Sequence, residues 1–185
     1  MRIIYTLLFC CLFSLPAFSQ LTVDQPYTIE QYVSEVLIGN GVTATNITYT
    51  GSEEQLGYLS GADGLFSVNS GLVLSTDHAT HLSDPGCMET ELCVNCQGLG
   101  NDQDLLDVAN SVPPLIGQTF IVSSVNDLCI LEFDFEAGGD SISFNYVFGS
   151  DEYLQWVNST YNDIFAFFLS GPGITGPYDL SLLLI

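Results

Sequence analysis

The stretch Cys129-Ile-Leu-Glu-Phe-Asp-Phe135 alternates between apolar and acidic residues, and Ser141-Ile-Ser-Phe-Asn-Tyr-Val-Phe148 alternates again after a Gly138-Gly139-Asp140 turn. Successive side chains of an extended chain point to opposite faces, so each stretch has an apolar face and a polar face. We therefore predict two strands, with these residues on their apolar faces: Leu131, Phe133 and Phe135 in the first, and Ile142, Phe144, Tyr146 and Phe148 in the second.

Further strands are predicted on both sides of this pair. The run 42–49 is rich in β-branched residues and predicts one strand, and turn residues separate two shorter strands at 55–59 and 71–75. The fully apolar run 164–169 suits a central strand that is buried on both faces. Residues 77–101 are expected to form a long irregular loop.

One helix is predicted near the start of the folded part. Thr28 and Gln31 have the spacing of a capping box, apolar residues follow at helical spacing, and Gly39-Asn40-Gly41 ends the pattern. Residues 102–109 predict only a short acidic helical turn, and Pro113-Pro114 a break in the chain. The pattern as a whole predicts a mainly β fold, an antiparallel β-sandwich of jelly-roll-like form with one short N-terminal helix.

Residues 1–19 are typical of a signal peptide. Arg2 provides the positive start, an apolar run follows, and Ala17-Phe18-Ser19 offers a cleavage site. The run is too short for a membrane-spanning helix, which needs about 20 apolar residues. We therefore expect an exported chain whose domain is formed by residues 20–185.

The exported part carries only negative formal charges. Arg2 is the only lysine or arginine in the chain, and all 22 aspartates and glutamates follow residue 20. This composition argues against nucleic acid and anionic membranes as partners, because their phosphates bind to basic side chains. It argues equally against enzymes that need a lysine or an arginine. A surface of this charge attracts cations, above all divalent ones, so specific calcium sites are one interpretation and simple solubility in salty water is the other.

Four cysteines follow the leader: Cys87, Cys93, Cys96 and Cys129. In an exported chain an even number of cysteines favours disulfides, and the sequence leaves all three pairings open. The alternative is a zinc site, because Cys93 and Cys96 have C-x-x-C spacing. His78 and His81 could contribute to such a site, but a nearby proline and glycine favour two histidines in a surface loop.

The loop between the predicted strands 141–148 and 164–169 contains the candidate site residues. Four oxygen-bearing side chains at its ends could bind calcium, although such residues are also common in turns without metal: Asp151, Glu152, Asn162 and Asp163. Three aromatic side chains could stack on a sugar or cap the fold: Tyr153, Trp156 and Tyr161. Two carboxylates could serve a glycosidase, but among 22 acids such pairs arise by chance. No catalytic residue is predicted.

Five segments resemble the choice-of-anchor L domain family. They are Val36-Leu-Ile-Gly-Asn-Gly-Val42, Gly71-Leu-Val-Leu-Ser-Thr-Asp77, Leu131-Glu-Phe-Asp-Phe135, Tyr146-Val-Phe-Gly-Ser-Asp-Glu-Tyr153 and Tyr161-Asn-Asp-Ile-Phe-Ala-Phe-Phe-Leu-Ser-Gly-Pro-Gly173. The resemblance extends from about residue 28 to about residue 177. It implies a bacterial exported surface protein whose domain precedes C-terminal anchoring signals. It implies no catalytic residues.

The family pattern normally continues beyond Gly176-Pro177, whereas this sequence ends at Ile185. We therefore expect a domain that is incomplete at its C-terminus, with no anchoring domain visible. The sequence predicts a secreted or cell-surface protein that is not an enzyme but a binding or adhesion domain. Its candidate cofactor is Ca2+, and its expected partner is an extracellular ligand, a glycan or a surface protein. The alternative is a carbohydrate-binding or carbohydrate-active module, and a third interpretation is a structural spacer that presents other domains.

Overall fold

The computed structural model describes residues 21–83, 101–150, 156–157, 159, 163–176 and 183–184. Short antiparallel strands dominate these residues, which confirms the predicted mainly β class. The arrangement of the sheets as a sandwich stays a prediction. The predicted leader 1–19 lies outside the described residues. Among the helices that are described, none has the length and apolar character needed to cross a lipid bilayer.

The elements follow one another in a simple order. The strands are β1 (Thr22–Asp24), β2 (Val42–Thr50), β3 (Leu56–Ser60), β4 (Gly71–Leu74), β5 (Ile130–Ala137), β6 (Phe167–Phe168) and β7 (Leu183–Leu184). The helices are α1 (Ile29–Gln31), which continues as a π-helix (Tyr32–Leu37), and α2 (Gln103–Leu115), with 3-10 turns at Glu53–Gln55 and Ala79–Ser83. The described strands form three sheets, with the orders β1–β3–β4, β2–β5 and β6–β7.

The ribbon of β2 and β5 confirms the alternation in the sequence. Its antiparallel register pairs Val42 with Ala137 and Thr50 with Ile130, and it shifts between Thr45 and Thr48. Asn46 lies in this bulge with a φ of 52°, and its Nδ2 donates to Asp134 Oδ2 over 2.6 Å. An asparagine tolerates this left-handed conformation better than a β-branched residue does. Along β5 the apolar side chains are half-buried and the acidic ones are exposed, as predicted.

The predicted N-terminal helix and its capping box are also confirmed. The Gln31 N–H donates to Thr28 Oγ1 over 3.3 Å, and the Thr28 N–H donates to Gln31 Oε1 over 3.0 Å. The helix then widens, and the Ile38 N–H donates to the carbonyl of Val33 over 3.0 Å. This bond spans five residues and defines the π-helix. Tyr32 and Val33 are the buried residues of this segment.

The described core lies between the three-stranded sheet and the 3-10 turn Ala79–Ser83. Val23 of β1 and Leu59 of β3 are buried together with Ala62 and Ala79, and Leu21, Val68 and Val73 pack around them. Gly57 allows β3 to approach this cluster closely. A Cβ atom at Gly57 would lie 2.5 Å from Val23 Cγ1 and 3.0 Å from Ala79 Cβ. The small residues at 57 and 79 therefore set the distance between the strand and the turn.

The second helix is longer than predicted. Asp102 caps its start by accepting from the Leu105 N–H over 2.8 Å, and the helix passes through Pro113-Pro114 before it ends at Leu115. The predicted break at the prolines is therefore wrong. The φ of proline is compatible with a helix, and the carbonyls of Pro113 and Pro114 still accept from the N–H groups of residues 116–118.

Two strand predictions also need correction. Residues 141–150 are exposed and pair with no other strand among the described residues, although a strand was predicted for 141–148. In the run 164–169 only Phe167–Phe168 forms a strand, and the run is half-buried rather than buried on both faces. An alternating pattern identifies the apolar face of a segment, but it does not supply the neighbour that a strand needs.

Candidate functional site

An aromatic ridge stands out among the exposed apolar residues. We use this name for the side chains of Phe144, Tyr146, Phe148, Phe165 and Phe167. The ring centroids are 4.4 Å apart for Phe144 and Phe167 and 5.9 Å apart for Phe148 and Phe165. The rings of Phe165 and Phe167 meet edge-to-face at 4.6 Å. Such contacts hold aromatic rings together beyond the effect of burial alone.

The ridge residues Phe144, Tyr146 and Phe148 are every second residue of the segment 141–148, with Asn145 and Val147 between them. Phe144 contacts Phe167, and Tyr146 contacts Phe165 at 5.8 Å. One segment therefore runs antiparallel to the other, with every second side chain on the shared side. The sequence predicted the even-numbered face of 142–148 correctly. It did not predict that this face would meet Phe165 and Phe167 and remain exposed, because that outcome depends on tertiary packing.

The two ends of the candidate calcium loop lie close together. Ser150 Oγ donates to Asp163 Oδ2 over 3.2 Å. Asp163 is exposed. The other three predicted ligands lie outside the described residues: Asp151, Glu152 and Asn162. Calcium at this loop therefore stays a prediction, of which the structure shows only that the loop begins and ends at one place.

Only one of the three candidate sugar-stacking residues is described. Trp156 has 42% of its surface exposed. Tyr153 and Tyr161 lie outside the described residues. The exposure of the indole is compatible with stacking on a ligand, and the two tyrosines stay predictions.

Of the four cysteines that follow the leader, the structure describes Cys129, which carries a free thiol. Its Sγ lies 3.4 Å from the hydroxyl of Tyr49, which donates to the carbonyl of Ser52 over 2.7 Å. Burial raises the pKa of the Cys129 thiol, and its hydrogen bonds with Tyr49 and with the backbone of Ser75 oppose this shift only in part. Burial also raises the pKa of Tyr49. Cys87, Cys93 and Cys96 lie outside the described residues, so the disulfides stay a prediction.

The two histidines form a cluster with carboxylates that the sequence did not predict. His78 Nε2 lies 3.4 Å from Glu54 Oε2, His81 Nδ1 lies 2.9 Å from Asp77 Oδ2, and the two rings are 4.9 Å apart. The side chains of His78 and His81 are 27% and 19% exposed, so these surface histidines are half-buried rather than fully exposed. The reason is the 3-10 turn Ala79–Ser83, which packs against β1 and β3.

This cluster is the only place after residue 20 where a side chain can carry a positive charge, because no lysine or arginine follows Arg2. Within the part of the chain that the structure describes, no group of three or more histidine, cysteine or acidic side chains converges as a metal site would require. The cluster is therefore best interpreted as a set of hydrogen bonds and ion pairs that attaches the turn to the segment before β3.

The fold and these surfaces define an acidic, mainly β domain that leaves a row of aromatic rings exposed. The profile of the Choice-of-anchor L domain matches residues 22–182, which is most of the chain. The chain therefore belongs to the choice-of-anchor L domain family, as the sequence predicted. No curated protein and no solved structure matches it. Membership of this family makes the chain a surface-associated protein of the exported, extracellular kind.

Proposed function

We propose that the chain is a non-catalytic binding or adhesion domain that acts outside the cell. The observation that carries this proposal is the aromatic ridge, in which Phe144, Tyr146 and Phe148 are about half-exposed on a domain of a surface-associated family. Soluble proteins seldom leave a contiguous apolar patch of this kind in water unless it contacts a partner. The expected partner is an extracellular ligand or surface protein. The β-sandwich belongs to the same proposal.

The acidic surface supports the choice of a binding domain over an enzyme. Many catalytic sites combine a nucleophile, an acid–base group and a charge-stabilising donor. The only side chains after residue 20 that could become cationic are His78 and His81, and both lie against carboxylates. Cys129 is a poor nucleophile at neutral pH, because burial raises its pKa.

The test is binding of the fluorescently labelled chain to whole bacterial cells and to material extracted from their surface. We expect saturable binding that an excess of unlabelled chain displaces. Binding that rises linearly with concentration and resists displacement would contradict the proposal. Turnover of a panel of glycosides and peptides would contradict the absence of catalysis.

A glycan is the second candidate ligand, and the exposed indole of Trp156 favours it. Aromatic faces next to carboxylates are suited to sugars, whose rings stack and whose hydroxyls donate. A glycan array should then show binding that Trp156→Ala abolishes. Binding that survives the substitution would remove the role of this residue, and an array without any signal would remove the glycan.

Calcium is part of the proposal as a stabilising ion at the loop that begins after Ser150. The support is the hydrogen bond from Ser150 Oγ to Asp163 Oδ2, 3.2 Å long, which joins the two ends of the loop, together with oxygen ligands of the type that calcium prefers. The melting temperature should rise by several degrees in millimolar calcium relative to chelator, and Asp163→Asn should reduce the rise. The same melting temperature in both conditions would exclude the ion.

A further inference from the structure

We propose that the aromatic ridge docks an extended, cationic segment of a partner protein, a segment in which apolar residues alternate and lysine or arginine stands at the ends. The inference rests on the proposed binding function and deepens it by naming the surface and the chemistry of the partner. Three observations carry it: the exposure of the ridge, the segment 141–150 that holds three of its five residues and pairs with no described strand, and the distribution of charge.

The ridge is exposed along the whole of its segment 141–148. The exposed fractions are 48% for Phe144, 49% for Tyr146 and 55% for Phe148, and the neighbouring Ile142 is 50% exposed. The rings of Phe165 and Phe167 contact them from one side. The exposed half of these residues provides apolar area that a partner can cover.

The backbone that carries these rings offers a second mode of contact. Residues 141–150 pair with no strand among the described residues. The ring contacts repeat every second residue, as they do in an extended chain. A segment of this kind can accept an added strand, whose main chain supplies affinity and whose alternate side chains supply specificity. The partner's apolar residues would then cover the rings of Phe144, Tyr146 and Phe148.

Charge selects the partner. The chain carries no lysine or arginine after residue 20 and 22 carboxylates, so an anionic partner and a second copy are both repelled. Exposed carboxylates stand near both ends of the ridge. Asp140 precedes Ile142 by two residues, and Asp163 accepts from Ser150, two residues beyond Phe148. Lysine and arginine side chains pair with carboxylates and also stack on aromatic faces.

The test uses the purified chain and a synthetic probe. The probe is a labelled nine-residue peptide in which valine and threonine alternate and lysine stands at both ends, which spans roughly 30 Å when extended. The matched peptide has glutamate at both ends. We expect saturable binding of the lysine peptide that is at least tenfold tighter than that of the glutamate peptide and weakens as salt rises. Equal affinities, or no binding of either peptide, would overturn the proposal.

Variants locate the site. Phe144→Ser with Phe148→Ser should weaken binding at least tenfold, whereas Leu115→Ser with Ile121→Ser should change it less than twofold, although both wild-type residues of this control are 83% exposed. Asp140→Asn with Asp163→Asn should weaken binding about threefold. Glu30→Gln with Glu35→Gln, two exposed carboxylates of the N-terminal helix, should not. Equal losses in test and control variants would overturn the assignment to the ridge.

Two measurements keep the result interpretable. Circular dichroism and melting curves show whether each variant is folded, and the comparison of the two peptides on the unmodified chain does not depend on any variant. Sedimentation tests whether the chain forms a dimer. If it does, and if Phe144→Ser with Phe148→Ser abolishes that dimer, the ridge binds a second copy and the proposal is overturned. Binding to cells without binding to the lysine peptide would leave the proposed function standing and remove this inference alone.

Discussion

Gln55 donates from Nε2 to the backbone carbonyl of Asp127 over 3.0 Å, and its side chain is completely buried. Its Oε1 accepts from the Ser52 N–H over 2.8 Å. Both polar ends of the amide are therefore satisfied inside the protein. This one side chain connects the turn before β3 to the segment that leads into β5, across 72 residues of sequence.

Replacement of Gln55 by leucine should destabilise the protein by about 2–4 kcal/mol, because the Ser52 N–H and the Asp127 carbonyl lose their partner in a buried place. The measurement is urea unfolding followed by circular dichroism. Gln103→Leu is the control, since Gln103 is exposed at the start of α2, and we expect a change within about 0.5 kcal/mol. Similar losses for both variants would contradict the structural role of Gln55.

Replacement of Gly57 by alanine should also destabilise the protein, by about 1–3 kcal/mol, because the added methyl would lie 2.5 Å from Val23 Cγ1. Gly71 is the matched control. It lies in the neighbouring strand β4, opposite Leu59, and a Cβ there would meet no atom within 4 Å. Gly71→Ala should be neutral or slightly stabilising. A thermal melt of both variants distinguishes the two sites, and a neutral Gly57→Ala would show that β1 can move away from β3.

The parts of the fold that the sequence predicted well depend on neighbours in the chain. The capping box of Thr28 and Gln31 lies within one turn, and the alternation along β5 fixes which side chains are buried whatever strand lies beside it. The close approach at Gly57 and the half-burial of His78 depend on residues distant in sequence, and a single sequence does not encode these pairings visibly. The same limit applies to the ridge, where the face of 142–148 was predicted and its neighbours were not.

In the candidate site, too, residue types could be predicted from the sequence, whereas contacts between distant residues could not. The residue types of the loop after Ser150 indicated calcium and sugar chemistry, but the distances between their side chains depend on how the loop folds. His78 and His81 were interpreted as surface-loop histidines because a proline and a glycine lie nearby, and the contact with Glu54 was not predicted because Glu54 lies 24 residues before His78 in the sequence. The composition of the sequence contained one signal that could have predicted the contacts of these histidines with carboxylates. Two histidines without any other cation in the exported part are expected to pair with carboxylates.

Asn110 provides a third stability prediction, because it bonds the helix α2 to the segment that follows it. Its Oδ1 accepts from the Val122 N–H over 2.9 Å, and its Nδ2 donates to the Val122 carbonyl over 3.0 Å. Asn110→Ala removes both bonds and should cost about 1–3 kcal/mol. Ser111→Ala is the neighbouring control at an exposed position and should be close to neutral. Hydrogen exchange should show faster exchange of the Val122 amide in the first variant only.

Asp127 provides a prediction with a defined pH dependence. It has a φ of 53°, and burial, with a smaller contribution from Asp77, raises the pKa of its carboxyl above the ordinary value of 3.8. Above the raised pKa, the folded protein must hold a charge that burial disfavours. As the pH falls towards 3.8, the folded state takes up a proton before the unfolded state does, so this cost disappears.

Asp127→Asn should therefore stabilise the protein at pH 7, and the gain should shrink as the pH falls through the raised pKa and vanish below 3.8. Asparagine also tolerates the positive φ, so the substitution introduces no backbone strain. Urea unfolding of both proteins at several pH values measures the difference. Asp63→Asn, at an exposed position, is the control and should show no gain of this kind. A gain at Asp127 that stays constant from pH 7 to pH 3.5 would mean that the charge of its carboxyl is not its cause.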